Sequence, residues 1–227
     1  MSYSTLVIGE SGTGKTASLR NLNPANCLLI QPTRKPLPFR AKGWREIREK
    51  GDGGNIFVCE NPRQIILAME RTAADIIIID DFQYLLINQY MARRSEKSYE
   101  KFSEFAGIGF DIAKKAAELA PHKRVYILGH STADEFGNVH IKTIGKMLDQ
   151  VICLEGMFTT VLRTKVDSAN GSYAFRTQNS GNDTVKSPMG MFEQPEIEND
   201  LALVDSIICD YYGINAEPNP DSPDAGI

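Results

Sequence analysis

Short apolar runs alternate with helix-compatible stretches along most of this chain. Leu6-Val7-Ile8, Cys27-Leu28-Leu29-Ile30, Ile56-Phe57-Val58, Ile76-Ile77-Ile78-Ile79, Val125-Tyr126-Ile127-Leu128 and Val151-Ile152-Cys153-Leu154 are continuous runs. Continuous apolar runs of this length are the pattern of strands buried on both faces. They predict strands over 4–8, 27–31, 56–58, 76–79, 125–128 and 151–154. Between them, helices are predicted over 15–21, 62–71, 97–120 and 141–148. Asn23-Pro24 stops the first of these, and Asn61-Pro62 opens the second as N-cap and first-turn proline. In the third, Phe102, Phe105, Gly109, Ile112, Ala116 and Leu119 recur every three or four residues, and Pro121 ends the run.

Two segments behave differently. Residues 158–166 and 173–178 alternate as antiparallel strands do, with a turn at Asn170-Gly171. A last helix is predicted over 198–212, with Gly213 at its end. Residues 32–54, rich in Pro and Gly, read as loop with one helical turn near 44–49. The expected fold is therefore α/β. It is a mostly parallel sheet flanked by helices with a C-terminal antiparallel β-hairpin extension. Residues 1–213 are expected to form one domain, followed by a flexible acidic tail over 214–227.

The loop after the first strand carries chemistry. Gly9-Glu10-Ser11-Gly12-Thr13-Gly14-Lys15-Thr16 matches the P-loop pattern G-x-x-x-x-G-K-[ST], between a strand and a helix. Glycines there let backbone N–H groups turn toward phosphate oxygens, and the helix beginning near Lys15 adds the positive end of its dipole. Residues 9–16 with Ala17 are thus the candidate nucleotide-binding set. Lys15 would reach the β- and γ-phosphates and Thr16 would hold Mg²⁺.

Asp80-Asp81 follows the run 76–79, as a Walker B carboxylate follows its strand. Asp80 is the expected metal ligand and Asp81 the expected general base. Adjacent residues of a strand point to opposite faces, so the two are not expected to share one role. Gly129-His130-Ser131 follows the run 125–128, and either His130 or Ser131 fits a γ-phosphate sensor. Arg163, Lys165, Arg176 and Lys186 are candidates for a cation donated to the transferring phosphoryl group, with Lys186 preferred. Thr164-Lys165-Val166-Asp167 mimics a guanine-reading motif, but no D-x-x-G follows the strand 76–79, so it reads as a decoy.

Composition changes the picture in one respect. Net charge is −4, yet the nine acidic residues from Glu193 onward stand without a Lys or Arg, leaving 25 basic against 20 acidic in residues 1–192. A basic body beside an acidic tail is compatible with nucleic-acid binding, or with a merely solubilising C-terminus. Arg34, Lys35, Arg40 and Lys42 precede Trp44 in a basic stretch with interleaved aromatics, the composition of a single-strand-binding surface. The other reading of that stretch is a solvated loop with Trp44 turned inward. Cys27, Cys59, Cys153 and Cys209 form no C-x-x-C pair. No apolar stretch approaches the ~20 residues of a membrane span. No signal peptide is read at the N-terminus, and a reduced, cytoplasmic protein is expected.

Taken with Lys35-Pro36-Leu37-Pro38-Phe39, Ile79-Asp80-Asp81-Phe82-Gln83-Tyr84, Gly129-His130-Ser131, Ile141 to Leu148, Leu154-Glu155-Gly156-Met157-Phe158 and Lys186 to Phe192, the P-loop makes the chain resemble the phage-encoded RecA-like P-loop ATPases, also labelled AAA-type. The likeness spans about residues 3–212. It implies a RecA-like core, ATP with Mg²⁺, a bacterial host's cytoplasm, and a place in phage DNA metabolism. Some proteins of this kind are single-strand-annealing recombinases, which implies single-stranded DNA as partner and a homo-oligomer, ring or filament. The resemblance also implies a catalytic Glu after the second strand, where this chain has Gln31-Pro32-Thr33-Arg34. An AAA+-like remodeller or helicase loader, and a nucleotide-gated DNA-binding protein, are the other readings.

Overall fold

The computed structural model describes residues 1–49, 51–97, 100–144 and 152–214. Among them the apolar runs build the middle of one sheet. β1 (Tyr3–Gly9), β2 (Cys27–Gln31), β3 (Ile56–Val58), β4 (Ile76–Ile79) and β5 (Arg124–Ala133) are joined by parallel ladders in the order β3-β2-β4-β5-β1. β7 (Thr160–Val166) continues the parallel set beside β1, with Leu6 opposite Val161. β8 (Tyr173–Arg176) then pairs antiparallel with β7, Val166 opposite Tyr173. The sheet is α/β, mostly parallel, with the expected antiparallel extension.

Strand alternation divides the core. Leu6, Ile8, Ile77, Ile79, Val125 and Ile127 face one layer, with Ile65 and Met69 of α1 (Pro62–Arg71), Phe82, Leu85 and Leu86 of α2 (Phe82–Ala92), and Ile112 and Ala116 of α3 (Glu100–Glu118). Val7, Ile76, Ile78, Tyr126 and Leu128 face the other, with Leu19, Trp44 and the residues Leu201, Val204 and Ile208 of α4 (Leu201–Tyr212). Both faces are covered, so the strands need no polar side.

Several elements differ from expectation. α2 is a full helix that periodicity did not indicate, because its apolar residues surround the axis where it is wedged among sheet, β5 and α3. β6 (Val139–Ile141) pairs with β5, so Ile141 is in a strand; residues 142–144 are not helical, and the rest of the helix expected over 141–148 lies outside the described residues. The strand expected over 151–154 is instead a short 3₁₀ turn at Leu154–Met157, with Val151 outside the described residues. β9 (Glu196–Glu198) adds a further antiparallel strand beside β8 where the last helix was expected to begin; Asp200 caps that helix, accepting from the Ala202 N–H. Cys153 is exposed and not a core residue. The tail over 215–227 lies outside the described residues.

At the opposite end of the sheet from the loop after β1, one buried ionic group locks α4 down. Arg124 donates to both oxygens of Asp205 at 3.0 and 3.1 Å, and the Tyr126 hydroxyl donates to Asp205 Oδ1 at 2.6 Å. All three residues are buried. Asp205→Ala strands the Arg124 guanidinium, and is expected to cost about 3–5 kcal/mol in a urea unfolding titration. Glu118→Ala, which removes an exposed 3.8 Å pair with Lys114, is expected to cost under about 0.5 kcal/mol. Equal midpoints for the two variants would contradict this account.

Candidate functional site

The P-loop segment leaves β1 with a close approach that only glycine permits. A Cβ on Gly9 would lie 1.7 Å from Thr164 Oγ1 and 2.8 Å from Thr13 Oγ1. The two threonine hydroxyls are hydrogen-bonded to each other at 2.6 Å. Thr164, from the decoy motif, thus buttresses the loop from β7. Gly12 and Gly14 both have positive φ, and a Cβ on Gly14 would press on Tyr173 and Asn199. Lys15 is buried and donates to the carbonyls of Gly9 and Glu10 at 2.7 Å each. Burial lowers its ammonium to about 8, against the pull of Asp81 and Asp80.

The helix expected over 15–21 is a six-residue 3₁₀ segment, Thr16–Asn21. So short a segment has little macrodipole, which corrects the expected dipole contribution. What remains at the loop is backbone, Lys15 and the Thr16 hydroxyl.

β5 lies between β1 and β4, so the loop after β1 and the end of β4 meet across it. There Thr16 Oγ1 donates to both carboxylate oxygens of Asp80 at 3.0 Å. Asp80 is fully buried, and burial raises its carboxyl to about 6, with Lys35 opposing. The strand ends at Ile79, and Asp81 takes a left-handed conformation (φ 53°, ψ 45°), the sole non-glycine residue with positive φ among those described. The turn brings both carboxylates to Lys35, whose Nζ contacts Asp81 Oδ2 and lies 3.7 Å from Asp80 Oδ2. The expected divergence of the two aspartates is therefore corrected: it holds within a strand, and Asp81 is already past its end.

His130 Nε2 lies 3.5 Å from Asp81 Oδ1, and burial, then Lys15, lowers its pKa. Its backbone N–H donates to Gln83 Oε1 at 3.1 Å. Ser131 alternates to the other side of β5 and lines a smaller pocket with Glu10, Thr13, Arg163 and Arg176. Of the two sensor candidates, His130 faces the aspartates.

These residues border a cleft of about 680 Å³ lined by Ser11, Gly12, Gly14, Lys15, Thr16, Ala17, Asp81 and His130, with Thr33, Lys35 and Pro38 on the loop after β2, and with Tyr84 and Tyr173. Tyr84 and Tyr173 are site residues that sequence reasoning missed. Tyr84 lies on α2, whose apolar residues form no stripe; Tyr173 enters from the hairpin, which no local pattern connects to the loop 9–16.

Other expected residues lie elsewhere. Lys165 and Arg176 pair with Glu196, and Arg163 and Arg176 reach Asp183 at 3.7 Å. Lys186 is exposed, bridging Val161 through its backbone, away from the cleft. In the basic stretch Arg34 pairs with Glu46, and Arg40 and Lys42 are exposed. Trp44 is 7% exposed and packs in the core, which corrects its expected role as a stacking platform: a buried indole offers no face to a base.

The donor set at Thr16 and Asp80 is all oxygen, and no cluster of three or more His, Cys, Asp or Glu side chains suited to a metal joins it among the described residues. Hard oxygen donors fit Mg²⁺, which is commonly held by one or two carboxylates plus phosphate and water. No helix among the described residues is long and apolar enough to cross a membrane.

The sequence matches no family model and no curated protein. Among solved structures it is similar to the flagellar accessory protein FlaH from Methanocaldococcus jannaschii, at 16% identity over 76% of this chain and 75% of that one, with a TM-score of 0.40. So distant a likeness adds nothing to the geometry above.

Because burial lifts Asp80 from its ordinary 3.8 to about 6, its contribution to stability is present below about 4 and is lost as pH rises through 6. In metal-free buffer, Asp80→Asn cannot ionise and is expected to gain melting temperature relative to wild type between pH 4.5 and 7.5. A pH-independent difference in thermal melts would show that burial does not set this carboxyl.

Proposed function

We propose that this chain is a RecA-like P-loop ATPase that binds Mg·ATP in the cleft between Lys15 and Asp81. The observation that carries the reading is the hydrogen bonding of Thr16 to Asp80 across β5, which sets a P-loop hydroxyl against a buried carboxylate. In this reading the backbone of residues 9–17 and Lys15 hold the phosphates, and Thr16 and Asp80 hold the metal. Bound magnesium would neutralise charge on the phosphate oxygens. Asp81 orients a water and accepts its proton, while His130, neutral because its pKa is depressed, offers a hydrogen bond at the phosphate end.

The wider role follows the resemblance: DNA metabolism in a phage, with single-stranded DNA as partner and an oligomer completing the site. Exposed Arg40 and Lys42, on the loop that borders the cleft, support a polyanion close to the nucleotide. A second reading, a nucleotide-gated DNA binder with little turnover, is favoured by the engagement of Asp81 with Lys35 and His130, which occupies the proposed base.

A cation supplied by a neighbouring subunit is worth ~10³–10⁵ in rate, so the isolated protein is expected to turn over slowly. Lys15→Ala should abolish binding of a fluorescent ATP analogue, and Asp80→Asn should cut turnover more than nucleotide affinity. Steady-state hydrolysis with and without single-stranded DNA, beside a salt titration of DNA binding, separates the readings. Stimulation supports the DNA-dependent ATPase, and salt-sensitive binding without stimulation supports the gated binder. Neither effect would leave a protein-directed remodeller. Wild-type affinity in Lys15→Ala would refute the site.

A further inference from the structure

Two ammonium groups line the cleft, and they are placed differently. Lys15 is buried, with its charge directed at the carbonyls of its own loop. Lys35 stands on the loop after β2, between Thr33 and Pro38 at the cleft wall, with its side chain 36% exposed. It contacts Asp81 and lies 3.7 Å from Asp80. Asp80 is the carboxylate that Thr16 also reaches. Arg163, Lys165 and Arg176 are engaged with Asp183 and Glu196, and Lys186 lies outside the cleft. Lys35 is therefore the half-exposed cation that stands on the carboxylates of the site.

We propose that Lys35 is a resident counter-cation of the Asp80–Asp81 pair, which a divalent metal displaces, and that the freed ammonium then serves as this subunit's own cation on the terminal phosphate. The proposal rests on the Mg·ATP reading above. A Mg²⁺ ion sits about 2.1 Å from a carboxylate oxygen it binds. An ammonium in contact with Asp81 and 3.7 Å from Asp80 already neutralises the carboxylates a dication would need, so the two cations repel each other and compete for the same pair. The lysine stem has four rotatable bonds and reaches from a loop whose Leu37 and Phe39 pack against the core, so its charge can move while the backbone stays. With two carboxylates and two ammoniums the cleft is neutral; adding a dication without moving Lys35 would concentrate positive charge beside Asp80.

The test uses full-length Lys35→Met and Lys35→Arg, each checked for folding by circular dichroism. Mn²⁺ binding without nucleotide is followed by electron paramagnetic resonance. A neighbouring cation commonly lowers the proton affinity of a carboxylate by about one to three pKa units, and a dication meets the same repulsion, so Lys35→Met should bind Mn²⁺ at least about tenfold more tightly than wild type. Lys35→Arg, which keeps the charge, should remain near wild type. With Mg²⁺ present, Lys35→Met should also lose kcat while holding its affinity for a fluorescent ATP analogue. Unchanged Mn²⁺ affinity in folded Lys35→Met overturns the exchange, and an unchanged kcat overturns the role on phosphate. If wild type itself binds no nucleotide, the Mg·ATP reading falls, while the Mn²⁺ titration still decides whether Lys35 and a metal compete.

Discussion

A single hydroxyl, that of Thr16, ties the loop after β1 to the buried carboxylate at the end of β4. The two segments are 64 residues apart in sequence, and β5 separates their strands. Their meeting requires the order β4-β5-β1, and that order requires long crossovers covered by helices on both faces. The alternation of Leu6, Val7 and Ile8 between the two core layers belongs to the same constraint. The fold thus delivers a glycine-shaped loop to a fully buried acid. A carboxylate without solvent keeps its charge only beside cations and donors, which is why Lys15, Lys35 and Thr16 crowd around Asp80.

Charge elsewhere is arranged with less tension. The acidic residues from Glu193 onward are not all a free tail. Glu196 pairs with Lys165 and Arg176, Glu198 with Arg20, and Asp205 with Arg124. Asp200 caps α4 and accepts from Asn21. The C-terminal segment wraps back along the basic body and fixes the hairpin wall of the cleft, where Tyr173 and Asn199 pack on Gly14. The composition bias that read as an acidic tail is, over the described part of the segment, largely consumed by folding.

How far the chain could be read in advance follows from the range of the interactions involved. Strand 76–79 was legible because a run buried on both faces leaves no polar positions, and 56–58 because its β-branched and aromatic residues favour a strand even at the half-buried edge. The string 9–16 and Asp80-Asp81 could be singled out as candidates because their patterns are local in sequence. α2 was not legible, since its apolar residues run all round the axis, exposed Tyr84 and Met91 included, and show no stripe. The convergence of Asp80 and Asp81 was hidden in one left-handed residue, and the burial of Trp44 depended on partners such as Leu29 and Ile78 from distant strands. Lys35 was grouped with a basic stretch by composition, whereas its partners lie 45 and 46 residues downstream, at Asp80 and Asp81.

The central claim is that the loop 9–16 and the carboxylate of Asp80 together grip a metal-bound triphosphate. A crystal structure with Mg²⁺ and a non-hydrolysable ATP analogue tests it most directly. The account predicts phosphate density against the backbone of Gly12 to Thr16, with the metal between the Thr16 hydroxyl and Asp80. Density at another surface, or a clear cleft at saturating ligand, would contradict it.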